Sequence, residues 1–132
     1  HVTRLIEPAL ARGAWVLCDR YVDSTLVYQG TAKGMALETL LQLHSLATGP
    51  LWPDLTLVLD LPPAIGLARA ASRHGAETRF EAHDVGFHEA LRRGFLDLAQ
   101  RFADRCAVVD ASAPVEAVSA AIEAIVRERL SL

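Results

Sequence analysis

The 132-residue chain has little sulfur chemistry to offer. Its two cysteines, Cys18 and Cys106, sit in the apolar runs WVLCD and RCAVVD, with no Cys-x-x-Cys. They read as inert thiols of two neighbouring buried strands in a reducing compartment, not as a metal or redox pair. No apolar run reaches the roughly 18 residues of a membrane span and no leader is visible, so the expectation is a cytoplasmic protein with no membrane partner. Positive charge is not in excess either: 13 Lys and Arg stand against 16 Asp and Glu, a net charge of −3. A nucleic-acid backbone is therefore not an expected partner, while local arginine clusters can still hold a small anion. His1, His44, His74, His83 and His88 lack metal-ligand spacing beside suitable acids and read as structural or surface residues. There is no Ser/His/Asp or Cys/His arrangement and no carboxylate pair in an acid/base relationship, which leaves triad hydrolysis unsupported. A Gly-rich phosphate loop, G-x-x-x-x-G-K-[ST], is also absent.

What is present is a core. With 52% hydrophobic and 22% charged residues, the chain is expected to form one α/β domain over residues 1–132. It opens on His1 directly into a helical pattern (Val2, Leu5, Ile6, Ala9) without a capping residue, and reads as the later part of a longer protein. That helix runs to about Arg12, is disturbed by Pro8 and stops at Gly13. Ala14 to Cys18 reads as a short buried strand. A Leu-rich helix follows from about Ala36 to Ala47, with an apolar surface wide enough for a core and a second subunit. Leu55 to Leu61 is a strand covered on both faces, and Pro62-Pro63 opens a helix to about Ser72. Residues 73–84, RHGAETRFEAHD, have no period and read as a mobile loop. Asp84 caps a helix to about Ala103 with the stripe Phe87, Leu91, Phe95, Leu98, Phe102. Ala107 to Val109 is a third strand ending in Asp110, and Pro114 to Leu130 a last helix with Val115, Val118, Ile122 and Ile125 inward. Strands separated by helices imply a parallel sheet with right-handed crossovers, whose ligands bind beyond the carboxyl ends of the strands.

Two groups of residues exceed the needs of a core. After the first apolar run come Asp19, Arg20 and Tyr21, then Ser24, Thr25, Tyr28 and Gln29. Arg20 is a permanently charged fork suited to a phosphate, and Asp19 can orient it or reach a metal-bound water. The hydroxyl, aromatic and amide groups that follow suit a nucleoside; a structural ion pair and a core tyrosine are the alternatives. The second group is Arg69, Arg73 and Arg79, with Phe80 and Glu81. Arg69 and Arg73 are four apart on one helix face, where like charges repel unless an anion lies between them. Phosphoryl transfer would use such arginines, and a solvated basic surface is the alternative.

The segments PALARGAWVLCDRYVDSTLVYQG, GPLWPDLTLVLDLPPAIGLARA and VVDASAP, with the arginine loop between the last two, together resemble bacterial thymidylate kinases over essentially the whole chain. The resemblance implies a P-loop nucleoside monophosphate kinase fold, a parallel sheet flanked by helices, with the N-terminal part missing from these residues. It implies transfer of the γ-phosphate of ATP, with Mg²⁺, to dTMP, and a homodimer using helix 1 and the Leu-rich helix. By it Arg20 holds the dTMP phosphate and Asp19 supports the metal region through water. Thr25, Tyr28 and Gln29 line the thymidine pocket, Ser24 shapes the turn, and Tyr21 is grouped with them. Residues 69–84 correspond to the family's lid, with Arg69, Arg73 and Arg79 as its arginines, while Thr78 stands where the family's lid has Asp. Ala111 and Ser112 lie in the turn that borders adenine. A related nucleotide kinase of other base preference and a non-catalytic nucleotide-binding or dimerisation module stay open as alternatives.

Overall fold

Apolar periodicity and Gly/Pro punctuation account for most element boundaries in the structure, a computed structural model that describes residues 2–31, 33–74 and 85–132, with Arg73 and His74 as backbone only. The loop expected at 73–84 and the Asp84 cap fall mostly outside the described residues. The chain divides into two compact units, His1–Trp52 and Pro53–Leu132.

In the first unit a π-helical turn, Val2–Ile6, runs into α1, Glu7–Ala11. Pro8 in the first turn of α1 has no N–H for the carbonyl of Arg4, and the helix before it is wound wider. The helix ends as expected at Gly13, whose φ of +74° lets its N–H reach Leu10 O at 2.9 Å while Ala14 N–H reaches Ala9 O at 3.0 Å. These are the two bonds of a Schellman cap.

The expected strand Ala14–Cys18 does not form. These residues are irregular and exposed, Leu17 completely, and the Cys18 thiol lies at the surface instead of in a core. A strand exists only by pairing, and among the described residues of this unit there is no strand for it to pair with. Beyond it, α2 (Val22–Thr25) runs into a second π-helical turn, Leu26–Thr31, against which α3 (Leu37–Thr48) packs. Val22, Leu26, Val27 and Leu40 are buried here, whereas Leu43 and Leu46 of α3 are exposed.

The second unit contains the sheet. β1 (Thr56–Asp60) and β2 (Cys106–Asp110) pair in parallel from Thr56 opposite Cys106 to Asp60 opposite Asp110. The helices are α4 (Pro63–His74), α5 (Val85–Arg101) and α6 (Val115–Leu130). The α5 stripe is borne out in part: α5 packs on both strands and buries Leu91 and Leu98, with Val58, Cys106 and Val109 also buried, while Phe95 and Phe102 are half-buried and Phe87, in the first turn, is exposed. Two expectations are corrected. β1 is not covered on both faces, since Leu59 is 54% exposed, and Val108 on β2 is 46% exposed. The reason is that α4 packs mainly on α5 and not on the strands, leaving α5 and α6 as their main cover. Val115 is 73% exposed because it stands at the very start of α6, whereas Val118, Ile122 and Ile125 are partly buried. No described helix is long and apolar enough to cross a membrane.

Because Leu98 is buried on the face of α5 that meets the sheet, Leu98→Ala should lower the unfolding free energy by about 2–5 kcal/mol. Urea unfolding followed by circular dichroism measures it; a loss below about 1 kcal/mol would contradict this packing.

Candidate functional site

Arg20 is the most distorted residue of the first group. Its φ of +65° is left-handed, a conformation that costs a non-glycine residue on the order of 1–3 kcal/mol. The strain aims an exposed side chain along the following helix: Nε donates to Ser24 Oγ at 3.4 Å and the guanidinium carbon lies 4.7 Å from the centre of the Tyr28 ring. Spacings of four and eight residues along helical turns put Ser24 and Tyr28 beneath the same fork. Three of the residues singled out by sequence are thus together.

The others surround this line. Asp19 and Thr25 are exposed, Gln29 is half-buried, and its carbonyl accepts the N–H of Met35 at 3.0 Å. Tyr21 is half-buried with its ring edge-on to His44 at 5.9 Å, and His44 meets Trp52 at 4.4 Å. The Tyr21 hydroxyl oxygen is buried without a hydrogen-bond partner among the described residues, which costs roughly 1–3 kcal/mol. His44 is tied to its own helix through Thr48, whose hydroxyl lies 2.9 Å from Nδ1, and to Leu51 O at 3.2 Å from Nε2. That agrees with its reading as a structural histidine. Asp23, buried at the start of α2, was not among the sequence candidates; an acid in a helix's first turn is the signal that marks it.

A second cluster lies at the carboxyl ends of β1 and β2, the side on which ligands bind in open parallel sheets. Register puts Asp60 and Asp110 directly opposite each other there. Arg92 of α5 grips Asp60 with both teeth of its fork, Nε to Oδ1 at 2.7 Å and Nη2 to Oδ2 at 2.9 Å. These hydrogen bonds hold the Asp60 carboxyl below the usual aspartate range, against burial and the neighbouring Asp110. Asp60 in return raises the pKa of Arg92. Asp110 is also lowered, by the hydroxyl and N–H of Ser112, which reach its Oδ1 at 2.5 and 2.8 Å. Beside this pair an open concavity of about 230 Å³ is lined by Leu61, Pro63, Gly66, Ala70, His88 and Arg92.

Of the sequence-predicted arginines, Arg69 on α4 donates from Nη1 to Ala111 O at 2.8 Å and from Nη2 to Ser112 O at 3.1 Å. Arg69, Ala111 and Ser112 therefore form one cluster. Arg73 follows one turn later on α4, described as backbone only, and Arg79 lies outside the described residues, as do Phe80 and Glu81. Arg92 was not a candidate in the sequence. Its partner is 32 residues away, and the only local signal is an arginine flanking the apolar stripe of α5. Asp110 is more legible, because Asp-x-Ser after a strand is the pattern of an Asx turn. Among the described residues no group of three His, Cys, Asp or Glu could by itself hold a metal.

The parallel pair of strands, the helices around it and the polar network at its carboxyl edge define an α/β protein. Known proteins narrow this class. The family described as "Thymidylate kinase" matches residues 1–122. The chain is 51% identical to a thymidylate kinase of Rhodopseudomonas palustris (strain TIE-1), covering 98% of this chain and 57% of the relative. It is 49% identical to one of Caulobacter vibrioides over 100% of this chain and 63% of the relative. A third, from Cereibacter sphaeroides (strain ATCC 17029 / ATH 2.4.9), is 53% identical over 91% of this chain and 57% of its own length. The chain belongs to the thymidylate kinase family, whose fold is that of the P-loop kinases. It spans 57–63% of the length of these three curated relatives.

A carboxyl whose pKa is lowered in the folded state stabilises the fold above its unfolded value and ceases to do so as the pH falls through the folded value. The contribution of Asp60 should therefore be full at neutral pH and be lost progressively below about pH 4. Asp60→Asn should lower the thermal midpoint at pH 7 by several degrees and flatten its decline between about pH 4 and 2. Thermal melts across that range decide it; an unchanged acid profile in the variant would remove the pair from the account.

Proposed function

We propose that the protein catalyses transfer of the γ-phosphate of ATP to the phosphate of dTMP, giving dTDP and ADP. The reading is carried by one observation beside family membership: an arginine held in a strained, left-handed backbone conformation with its fork exposed, over Ser24 and Tyr28. A strained cation at the surface is what a phosphate-gripping residue needs, and a solvated surface arginine has no use for the strain.

In this reading an oxygen of the dTMP phosphate attacks the γ-phosphorus of ATP, and the bond from that phosphorus to the ADP oxygen breaks. The Arg20 guanidinium binds the acceptor phosphate, offsetting the repulsion between two anions that must approach in line. Ser24 steadies the fork through Nε. Tyr28, with Thr25 and Gln29, takes the thymidine, and Tyr21 adds a hydroxyl that has no partner among the described residues. Arg73 and Arg79 serve the transferring phosphate, and Ala111 and Ser112 border the adenine, with Arg69 at the root of this side. Mg²⁺ suits Asp19, an exposed hard oxygen donor beside Arg20, because the ion is held largely by phosphates and water with only one or two carboxylates. When bound, the ion neutralises charge on the phosphates. We also propose that two copies associate through α3, whose exposed Leu43 and Leu46 support that role.

The natural full-length protein should release ADP from ATP–Mg²⁺ only when dTMP is present, in a coupled assay. Arg20→Ala should reduce kcat/KM for dTMP by about 100-fold or more, with the unfolding midpoint unchanged because the side chain is exposed. Turnover close to that of the natural protein would contradict the role given to Arg20.

A further inference from the structure

At the turn that follows β2, both backbone polar groups of two successive residues are engaged. Ala111 N–H donates to Asp60 O at 2.8 Å and Ser112 N–H to Asp110 Oδ1 at 2.8 Å. Their carbonyls accept from the two Nη atoms of the single Arg69 fork. One rigid guanidinium bonded to two consecutive carbonyls fixes the tilt of both peptide planes, which two independent partners would not do. Asp110 holds the same turn from the other side, through the Ser112 N–H and hydroxyl. The turn is thus clamped between α4, 42 residues earlier in the chain, and the end of its own strand.

The same contacts set part of the electrostatic surroundings of Arg69 on α4. Carbonyl oxygens carry partial negative charge, and two of them accept from the Arg69 guanidinium. We infer that Arg69 is a positioning residue: it sets the turn 110–113 in the shape that receives the nucleoside end of the phosphate donor, and does not itself grip a phosphate. The inference rests on the reading of that turn as part of the ATP site.

The test is a double-mutant cycle on the natural full-length protein, using Arg69→Met and Asp110→Ala, with ATP affinity measured by titration calorimetry and KM for ATP and dTMP measured separately. Each single change should weaken ATP binding about tenfold and leave KM for dTMP within about twofold. The double variant should be no weaker than the worse single one, because both act on the same turn. Arg69→Lys should recover only part of the loss, since one ammonium cannot reproduce a two-toothed grip. If Arg69→Met does not unfold cooperatively, the same cycle is run with Arg69→Lys. Additive losses, approaching about 100-fold in the double variant, would overturn the inference. So would a fall in kcat with ATP affinity unchanged, which would put Arg69 on the transferring phosphate. A natural protein that binds ATP without turning over dTMP would refute the proposed reaction while the cycle still decides the role of Arg69. A natural protein that binds no ATP would refute both.

Discussion

Two aspartates stand side by side where the parallel strands end, and the ligand side of the sheet depends on how that repulsion is resolved. Parallel register forces Asp60 and Asp110 into the same row, and neither carboxylate can avoid the other without breaking the ladder. The two are relieved by different means. Asp60 is neutralised by a bidentate arginine from α5, a charge-assisted pair of the strong kind. Asp110 turns to the chain ahead of it and takes the N–H and hydroxyl of Ser112. The first solution anchors α5 to the strand end and the second folds the following turn. The ion pair thus adds a polar anchor to the apolar packing of α5, and the Ser112 contacts shape the turn after β2.

The first unit concentrates its cost elsewhere. Arg20 in a left-handed conformation, a tyrosine hydroxyl buried without a partner among the described residues and a buried Asp23 fall within four consecutive residues. Local propensity would remove the first two, since Gly suits position 20 and Phe position 21, whereas an acid at position 23 suits the first turn of α2. Their coexistence in DRYVD is the physical content of the suspicion that these residues form a site.

Most of the fold was legible where a period repeats. The helices α3, α5 and α6 and the strands β1 and β2 fall within a few residues of the limits read from apolar spacing and punctuation, and Gly13 caps its helix as expected. Ala14–Cys18 was misread because apolarity is a local property and strand pairing is not: the run carries no information about its partner. The same limit applies to the site. Arg20, Ser24 and Tyr28 are four residues apart and could be grouped by eye, whereas Arg92 meets Asp60 across 32 residues and Arg69 meets Ser112 across 43. No periodicity encodes those encounters. For Arg69 the sequence singles out the residue, and only the fold brings the carbonyls of Ala111 and Ser112 to its guanidinium.

The exposed run from Trp15 to Cys18 has a consequence for the behaviour of the polypeptide in concentrated solution. It presents consecutive aromatic and aliphatic side chains without an intervening charge, flanked by Arg12 on one side and Asp19 on the other. Its backbone donors and acceptors are not taken up in a sheet. Such a stretch pairs readily with a copy of itself, and the flanking charges act as gatekeepers that limit how far the pairing spreads. A short apolar tract and the two ionic residues that bracket it therefore bear on self-association independently of the net charge of −3.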